Sequence, residues 1–347
     1  MCTIKTRSSI LLTLEVAEIP TSSEATVPEL TFTVEPYLSG VRVDSFLARH
    51  LRNYTSWRLH RMVTEGLVKV DQMPADATQR LFRDQVVTIQ LVEPPDKLLQ
   101  PDCVPLSIVY EDPWLLVIDK QVGIVAHPVG EFQDGTLSNA IQHHLDRHTT
   151  AKGLLRPGVV HRLDRMTSGL IVVTKEHLSH RILSIDFQEG RTQKSYLALV
   201  QGHPTFSKLV VDQPIGMHPK GNSVLMSSRP NARKPRPART DVTTVERMLN
   251  CSLVECTLHT GRNHQIRVHM ADIGHPVLGD EYYDINGTIK NAARLKGSEP
   301  TSDRHALHAS RLGFQHPILS VWMEFRSKPP QDFWTLQLLA TPASKNE

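Results

Sequence analysis

Four charged or ionisable side chains stand together in the stretch His161-Arg162-Leu163-Asp164-Arg165. The apolar pair Val159 and Val160 precedes this stretch, and a Thr-Ser-Gly turn followed by a second apolar run, residues 170–173, comes after it. A turn between two apolar strands holds its backbone in place and directs its polar side chains outward. The flanking arginines favour the ionised form of the Asp164 carboxyl. The stretch therefore predicts either a reactive carboxylate or a surface turn with a local ion pair.

Two further strings combine residue types that could act on one substrate. Lys194 and Tyr196 begin a segment, residues 194–200, that alternates polar and apolar residues like a strand with one buried face. Taken alone, Tyr196 also fits a tyrosine of the core or of an interface. A strand predicted over residues 253–259 leads into Thr-Gly-Arg-Asn-His-Gln-Ile-Arg-Val-His. If this turn feeds a helix, His264 and Arg267 lie on neighbouring positions of one face.

Together these strings resemble the motifs of one enzyme family. His-Arg-Leu-Asp with the following Thr-Ser-Gly-Leu resembles the catalytic signature of the RluA-type pseudouridine synthases. The strings at 191–200 and 260–269 match the second and third motifs of that family, in the same order. Gly279-Asp280 and Ala306-Leu307-His308-Ala309 match its C-terminal landmarks. The resemblance begins near residue 108 and departs from the family at Gln121, where a proline is usual.

The resemblance implies the conversion of uridine in RNA to pseudouridine, with Asp164, Tyr196 and Arg267 as catalytic residues. Asp164 acts as the nucleophile or abstracts a sugar proton to start a glycal route, and the sequence leaves both open. Arg267 pairs with Asp164, while the Tyr196 ring packs on the uracil and its hydroxyl takes the C5 proton. Arg162 fills the space that the flipped base vacates. The further residues expected to contact RNA are Arg165, Lys194, Arg262, His264, Gln265, Arg58 and Arg61.

Two other functions are compatible with parts of the sequence. A catalytically inactive RNA-binding protein has no need for all three catalytic candidates, and a carboxylate-dependent hydrolase would need a second acidic residue in a motif. The isomerisation leaves the oxidation level unchanged, so the family resemblance implies no cofactor. His259, His264 and His269 recur every five residues, which fits neither one helical nor one strand face, and no cysteine pair has zinc-site spacing. No metal site is expected.

A small unit is predicted over residues 31–92. Two amphipathic helices, one following residue 44 and one over 56–65 with a cap at Thr55 or Ser56, precede strands at 67–71 and 86–91. The helices carry a basic cluster, which is either a phosphate-binding surface or a solvated helix face. The cluster comprises Arg49, Arg52, Arg58, His60 and Arg61. The layout resembles an S4 RNA-binding domain, from which it departs at Arg83-Asp84, where Gly-Asp is usual.

The rest of the chain is divided as follows. Residues 1–30 are expected to form a flexible leader, 93–105 a linker, and 106–347 the catalytic domain, with helices at 137–145 and 176–187. The basic, proline-rich segment 218–239 is expected to bury no core and to be either a phosphate-binding loop or a disordered excursion. By resemblance the fold is α+β, a mixed and mostly antiparallel sheet with flanking helices, beside a small α/β S4-like domain.

Composition sets the remaining limits. The 347 residues carry a net charge of +3, with 39% hydrophobic and 22% charged residues, as in an ordinary soluble globular protein. The four cysteines form no disulfide framework, and no apolar run approaches the ~20 residues that cross a membrane. We therefore expect a cytoplasmic monomer without membrane association. Its expected partner is ribosomal rather than transfer RNA, because S4 modules are typical of family members that act on large-subunit ribosomal RNA.

Overall fold

The computed structural model describes residues 29–51, 54–91, 99–130, 132–147, 157–219, 224–289 and 304–339. The predicted leader up to residue 28, Arg52, residues 93–98 of the predicted linker and Lys220 of the basic segment lie outside these ranges. The described residues fall into two compact units: one up to residue 99 with 144–147, the other 100–143 with those from 157 onward. No helix within the described ranges is long and apolar enough to cross a bilayer.

The N-terminal unit combines a four-stranded antiparallel sheet with two helices. The strands pair in the order β1-β4-β2-β3. The elements are β1 (Glu29–Thr33), α1 (Val43–His50), α2 (Ser56–Thr64), β2 (Val68–Val70), β3 (Met73–Pro74) and β4 (Val86–Gln90), with a 3-10 turn at Pro36–Leu38. The predicted helices and the strands near 67–71 and 86–91 are confirmed. Strand β1 begins at Glu29, inside the segment predicted as leader.

Local sequence signals explain why α2 begins and ends where it does. The Thr55 hydroxyl accepts a hydrogen bond from the Arg58 backbone N–H at 3.1 Å, so Thr55 is the cap of α2. Gly66 follows the helix with a φ of 75°, a conformation that favours glycine. The apolar faces of both helices are fully buried against the sheet, with Phe46, Leu47, Leu59 and Met62 at 0% exposure.

The large unit is built on a ten-stranded mixed sheet. Its strands are β5 (Ile108–Glu111), β6 (Leu115–Lys120), β7 (Gly158–Val159), β8 (Ser168–Thr174), β9 (Gln193–Gln201), β10 (Lys208–Asp212), β14 (Arg239–Arg247), β15 (Cys251–Leu258), β18 (Leu307–Gln315) and β19 (Trp322–Arg326). The main order is β10-β14-β15-β9-β18-β8-β6-β5, with β19 beside β18 and β7 beside β8. Among these strands only β8 and β18 pair in parallel. The predicted mixed, mostly antiparallel sheet is confirmed.

Four helices and a two-stranded sheet accompany this sheet in the described ranges. The helices are α3 (Leu137–Asp146), α4 (His177–Gln188), α5 (Gln265–Asp272) and α6 (Gln331–Thr335). The two strands of the small sheet are β16 (Tyr283–Asp284) and β17 (Thr288–Ile289). A 3-10 turn at Ile285–Gly287 connects these two strands, and another lies at Leu336–Leu339. The helices predicted at 137–145 and 176–187 are confirmed. The Glu176 carboxylate caps α4 by accepting from the backbone N–H groups of Leu178 and Ser179 at 2.8 and 2.6 Å.

The basic segment 218–239 is more ordered than the sequence suggested. It contributes β12 (Met226–Ser227) and β13 (Arg233–Arg236), which pair on either side of β11 (Ile215–Met217). Leu225, Ala232 and Ala238 are buried, and Ala238 belongs to a small core with Val268 of α5. The expectation that this segment buries no core is therefore wrong. Its few small apolar residues suffice because backbone pairing with β11 brings them against α5.

Candidate active site

Asp164 lies in the loop that connects β7 to β8. The backbone N–H of Thr167 donates to the carbonyl oxygen of Asp164 at 3.0 Å and closes a turn. The next glycine, Gly169, has a φ of 110°, and a β-carbon there would lie 2.3 Å from the carbonyl oxygen of Ala309 on β18. Only glycine allows the two parallel strands to approach so closely. The sheet thus fixes the backbone immediately after the reactive loop.

Arg267 of α5 binds the Asp164 carboxylate together with a second carboxylate. Its Nη1 donates to Asp164 Oδ2 at 3.2 Å, while its Nε and Nη2 donate to the two oxygens of Asp280 at 2.6 and 2.8 Å. Arg267 and Asp280 are both 2% exposed. A bidentate pair holds the planar guanidinium in one orientation. The predicted ion pair between Arg267 and Asp164 is present, and Asp280 orients it.

The sequence neighbours of Asp164 do not pair with it. Arg162 and Arg165 are both exposed, and the Arg165 guanidinium lies 5.5 Å from the centre of the Phe132 ring. The described residues contain no ion pair between Asp164 and either arginine. The alternative of a surface turn with a local ion pair is therefore not observed, because a loop sends adjacent side chains in different directions, whereas α5 brings a distant guanidinium to the carboxylate.

The surroundings of Asp164 keep its carboxyl ionised. Burial alone would raise its pKa, but His264, Arg267 and His305 outweigh burial and hold the pKa below its usual value. The histidines are uncharged at neutral pH, since burial lowers the pKa of His264 to about 4 and that of His305 to about 3. Burial also acts to lower the pKa of Arg267, yet Asp280 and then Asp164 raise it above its usual value. Arg267 is therefore the cation that keeps Asp164 charged.

Tyr196 is positioned by a central strand of the sheet. It lies on β9, opposite Cys256 of β15 on one side and Ala309 of β18 on the other. The side chain is 7% exposed. Burial, and then the charge of Asp164, raise the pKa of the Tyr196 hydroxyl above its usual value. The neutral phenol is therefore the resting form beside the carboxylate.

A pocket of about 400 Å³ brings the predicted residues together. This volume lies within the ~300–1,000 Å³ that is usual for small-molecule sites. The pocket is lined by Asp164, Tyr196 and Arg267 together with Arg162, Lys194, Arg262, His264 and Gln265, while Arg165 is not among its lining residues. Burial, followed by the charge of Arg262, lowers the pKa of Lys194 to about 8. The pocket thus joins one carboxylate, one phenol and several basic groups.

Two predicted RNA contacts are engaged within the protein. The Gln265 amide oxygen accepts from the Thr260 hydroxyl at 2.8 Å and from the Arg262 backbone N–H at 3.0 Å, and its nitrogen donates to the Arg239 carbonyl at 3.0 Å. His264 adopts the left-handed conformation, with φ 54°, and its Nδ1 lies 2.8 Å from the Tyr283 hydroxyl. These two side chains therefore hold the turn that begins α5 and orient Arg267.

Sequence reasoning missed a layer of buried polar residues that supports the Asp164 loop. The Lys120 ammonium donates to the carbonyl oxygens of Gln121, Ile124 and Arg165 at 2.8, 3.0 and 3.2 Å. Burial lowers the pKa of Lys120 to about 7, although three carbonyl acceptors require the three N–H donors of the charged form. The available sequence signal was the position of this lysine, at the end of a buried apolar strand.

The C-terminal part of the chain supports the same loop. His305 Nε2 lies 2.7 Å from the Thr167 hydroxyl, and Arg304 Nη2 donates to the Ser168 hydroxyl at 3.0 Å. Arg304 also binds Asp332 at 2.9 Å. These contacts join the residues before β18 to both hydroxyls of the Thr-Ser-Gly turn. Arg304 and His305 immediately precede the family landmark that begins at Ala306, and this position was the sequence signal that could have identified them.

The basic residues of the N-terminal unit differ in exposure. Arg58 is buried, and its guanidinium lies 3.7 Å from the centre of the Tyr54 ring. The Arg61 Nε donates to Glu65 at 2.7 Å on the same helix face. Arg49 and His60 are exposed. Arg49 and His60 are thus exposed as the solvated or phosphate-binding face would require, but tertiary packing directs Arg58 into the unit rather than toward solvent.

Comparison with known proteins shows the family to which this chain belongs. Residues 114–272 match the family described as RNA pseudouridylate synthase. The chain is 34% identical over 323 residues to ribosomal large subunit pseudouridine synthase D of Zymomonas mobilis, covering 92% of this chain and 100% of that protein. It is 35% identical over 297 residues to an uncharacterized RNA pseudouridine synthase of Aquifex aeolicus, covering 84% of this chain and 91% of that protein.

Solved structures show the same fold. Human RNA pseudouridylate synthase domain containing 4 superposes with a TM-score of 0.53 at 26% identity, covering 68% of this chain and 95% of that one. Human RNA pseudouridylate synthase domain containing 1 gives a TM-score of 0.51 at 26% identity, covering 71% of this chain and 99% of that one. The sheet and its site define a pseudouridine synthase fold. The chain belongs to the RluA-type family of RNA pseudouridine synthases.

Proposed function

We propose that this chain converts uridines of large-subunit ribosomal RNA to pseudouridine, with Asp164 as the reacting carboxylate. The observation that carries this proposal is the ionised Asp164, partly exposed to a pocket and held by the buried Arg267–Asp280 pair. The ribosomal substrate is supported by the names of relatives such as ribosomal large subunit pseudouridine synthase D of Neisseria meningitidis, 35% identical over 322 residues. A protein that only binds RNA has no use for such a clamp.

The proposed reaction is an isomerisation that balances without any cofactor. The bond between uracil N1 and the ribose C1′ breaks, the base turns, and a bond forms between C5 and the same C1′. The proton on C5 is lost, and N1 gains one. Asp164 either attacks as a nucleophile or removes a sugar proton to open a glycal route. Both routes need the ionised carboxylate, which Arg267 stabilises.

Tyr196 is proposed to contact the uracil, and Arg162 is proposed to fill the gap that the uridine leaves in the RNA stack. The buried Tyr196 ring offers a face for the base inside the pocket. Its hydroxyl rests as a neutral phenol, so it takes the C5 proton only as it releases its own. Arg162 is exposed at the pocket and is long enough to fill the position in the RNA stack from which the uridine is extruded. Lys194 and Arg262 are proposed to contact phosphates.

We also propose that residues 31–92 are an S4-like RNA-binding domain, between a leader (1–30) and a linker (93–105), with the catalytic domain at 106–347. Support comes from two helices, the second capped by Thr55, that are followed by strands, and from the exposed Arg49 and His60. Arg58 and Arg61 are proposed to shape this surface through their contacts with Tyr54 and Glu65. Action on ribosomal RNA is consistent with a cytoplasmic enzyme. We further propose that the enzyme acts as a monomer.

The test has two stages. First, pseudouridines are mapped across the total RNA of cells with and without this chain, which identifies the modified uridine. Second, tritium release from RNA containing 5-tritiated uridine is measured for the wild type and for Asp164→Asn. The variant should bind RNA like the wild type, because the Arg267–Asp280 pair remains, and its turnover should fall by at least about 10⁴-fold.

Asp134→Asn provides the matched control. It removes one carboxylate charge at an exposed position of the same unit, so turnover should be unchanged. Tritium release by Asp164→Asn close to that of the wild type would remove Asp164 from the reaction. Modified sites outside large-subunit ribosomal RNA would correct the substrate while leaving the chemistry in place.

A further inference from the structure

A second cavity lies next to the uridine pocket. It has a volume of about 490 Å³ and is formed within the large unit by residues that include His127, Ser138, Pro157 and Val159. The two cavities share Val160, His161 and Arg162 as lining residues. The segment just before Asp164 is therefore a wall between them, and the exposed Arg162 belongs to both. No residue of the proposed chemistry other than Arg162 faces this cavity.

The chemistry of this cavity suits a flat, uncharged ring. Pro157, Val159 and Val160 give it apolar walls. Nδ1 of His127 is buried and has no hydrogen-bond partner among the described residues. Burial, and then the charge of Arg162, lower the pKa of His127, so its imidazole is neutral and has one donor and one acceptor nitrogen. The Ser138 hydroxyl donates to the Ala126 carbonyl at 3.0 Å, which leaves its own oxygen able to accept.

We propose that this cavity binds a second, unpaired nucleobase of the RNA strand that delivers the target uridine. This proposal rests on the proposed function. A nucleobase has polar edges for His127 and Ser138 and apolar faces for the proline and valine walls. The linking backbone would pass over the wall formed by residues 160–162, with Arg162 in the gap that the uridine leaves. The enzyme would then read two bases at once, so a uridine is selected partly through its neighbour. The His127 ring is only partly buried and lines the cavity, so its neutral imidazole offers a hydrogen-bonding ring to such an occupant.

The experiment is a double-mutant cycle that combines a substitution in the protein with the removal of a base from the RNA. A synthetic stem-loop that carries the mapped uridine is prepared intact and with each neighbouring nucleotide replaced in turn by an abasic residue. Affinity and single-turnover tritium release are measured with the full-length wild type and with His127→Phe, which keeps a ring but removes both nitrogens. His127→Asn, which restores a polar group near the position of Nδ1, is the rescue variant. His177→Phe makes the same exchange at an exposed position and is the control.

The expected result is a loss that is not additive. One abasic position and His127→Phe should each weaken binding about tenfold, the effect of one well-placed hydrogen bond, and together they should weaken it no further. His127→Asn should recover part of the affinity, and His177→Phe should behave as the wild type. Melting temperatures confirm that the variants fold, and if His127→Phe does not, the cycle is repeated with His127→Asn, which should then show the smaller coupling.

The outcomes separate this proposal from the proposed function. Additive losses at every abasic position, with tritium release still measurable, would overturn the second base site and leave the isomerase in place. Full affinity of His127→Phe for intact RNA would do the same. Absence of tritium release from any RNA would instead overturn the proposed function. Coupling to one abasic position alone supports the cavity as a site for that base.

Discussion

Charged side chains are used differently in the two units of this protein. In the large unit, Arg267 and Arg304 are 2% and 4% exposed, and each binds carboxylates or hydroxyls on other elements. In the N-terminal unit, Arg49 and His60 stand exposed on their helices. Removing a charged side chain from water is costly unless a partner in a fixed position compensates it. Buried ion pairs are therefore found where a side chain must be held in one orientation. Exposed charges cost little and give an attraction that salt screens.

This difference separates two properties of the enzyme. The buried network around Asp164 should determine the rate of reaction, because it fixes the orientation and charge of the reacting groups. The exposed basic residues should determine affinity and its dependence on salt. Lys194 is intermediate, since it is buried at the pocket and has a pKa of about 8. Substitutions in the buried network and among the exposed basic residues test whether the reaction rate and the RNA affinity can be changed independently.

The largest effect in this series is expected for Tyr196→Phe. The ring and its packing on β9 remain, so RNA affinity should stay at the wild-type value. Loss of the hydroxyl removes the group proposed to take the C5 proton, and turnover should fall by about 10²- to 10⁴-fold. Single-turnover tritium release beside a binding titration measures both quantities. Turnover equal to that of the wild type would leave Tyr196 with a packing role alone.

Asp280→Asn should reduce both stability and turnover. It takes a buried charge from the pair with Arg267, which should lower the free energy of unfolding by about 3–5 kcal/mol. Arg267 then loses its fixed orientation, and turnover should fall about 10²-fold. Urea unfolding and single-turnover rates measure the two effects. Asp164→Asn is the comparison, because Arg267 retains Asp280 there and stability should change much less.

The pH dependence of stability adds a second readout for Asp280. Burial would raise its pKa, but Arg267 holds it well below the usual value. A carboxyl whose folded-state pKa is depressed stabilises the protein above its unfolded-state pKa, and this contribution is lost as the pH falls through the folded-state value. The wild type should therefore lose stability below about pH 4, the unfolded value of an aspartate. Asp280→Asn should lack this contribution, and an equal acid loss in both proteins would contradict it.

A smaller, pH-dependent effect is expected at Lys194. Its ammonium loses a proton as the pH rises through about 8, so RNA affinity should weaken between pH 7 and 9. Loss of one charge-assisted phosphate contact should cost about tenfold in affinity. Lys194→Arg stays charged over this range and should remove the pH dependence. If the arginine variant shows the same dependence, another group is titrating.

The smallest effect is expected in the N-terminal unit. Arg49→Gln in the full-length chain should leave single-turnover rates at saturating RNA unchanged. For each phosphate interaction that the substitution removes, the slope of log affinity against log salt should become shallower by about 0.7–0.9. Arg58→Gln is the buried counterpart and should instead cost about 0.5–2 kcal/mol of stability, because its guanidinium no longer packs on the Tyr54 ring. An unchanged salt slope in Arg49→Gln would show that Arg49 does not contact the RNA backbone.

Short-range sequence signals were sufficient to predict several local elements, and the family motifs indicated the reactive residue types. Helix α2 could be predicted because Thr55 caps it and Gly66 ends it, and both signals lie within a few residues of the helix. The alternation at 194–200 likewise predicted the strand that carries Tyr196. The three motif strings indicated Asp164, Tyr196 and Arg267 before any contact was known. Each of these signals lies within a few residues of the element that it predicts, so the sequence alone is enough to recognise it.

The contacts between the reactive groups depend on how distant segments of the chain pack together. The partner of Asp164 is Arg267, 103 positions away, rather than the adjacent arginines, because α5 and the β7–β8 loop converge across the sheet. The same packing made Asp280 the second ligand of Arg267, buried Arg58 against Tyr54, and gave the basic segment a small core. Whether a charged side chain is buried, and which partner it binds, depends on elements that are distant in sequence. The free energy of placing a charge in the protein depends on its burial and on its partner. A periodic pattern indicates that a residue lies on a face, but the fold decides what that face contacts.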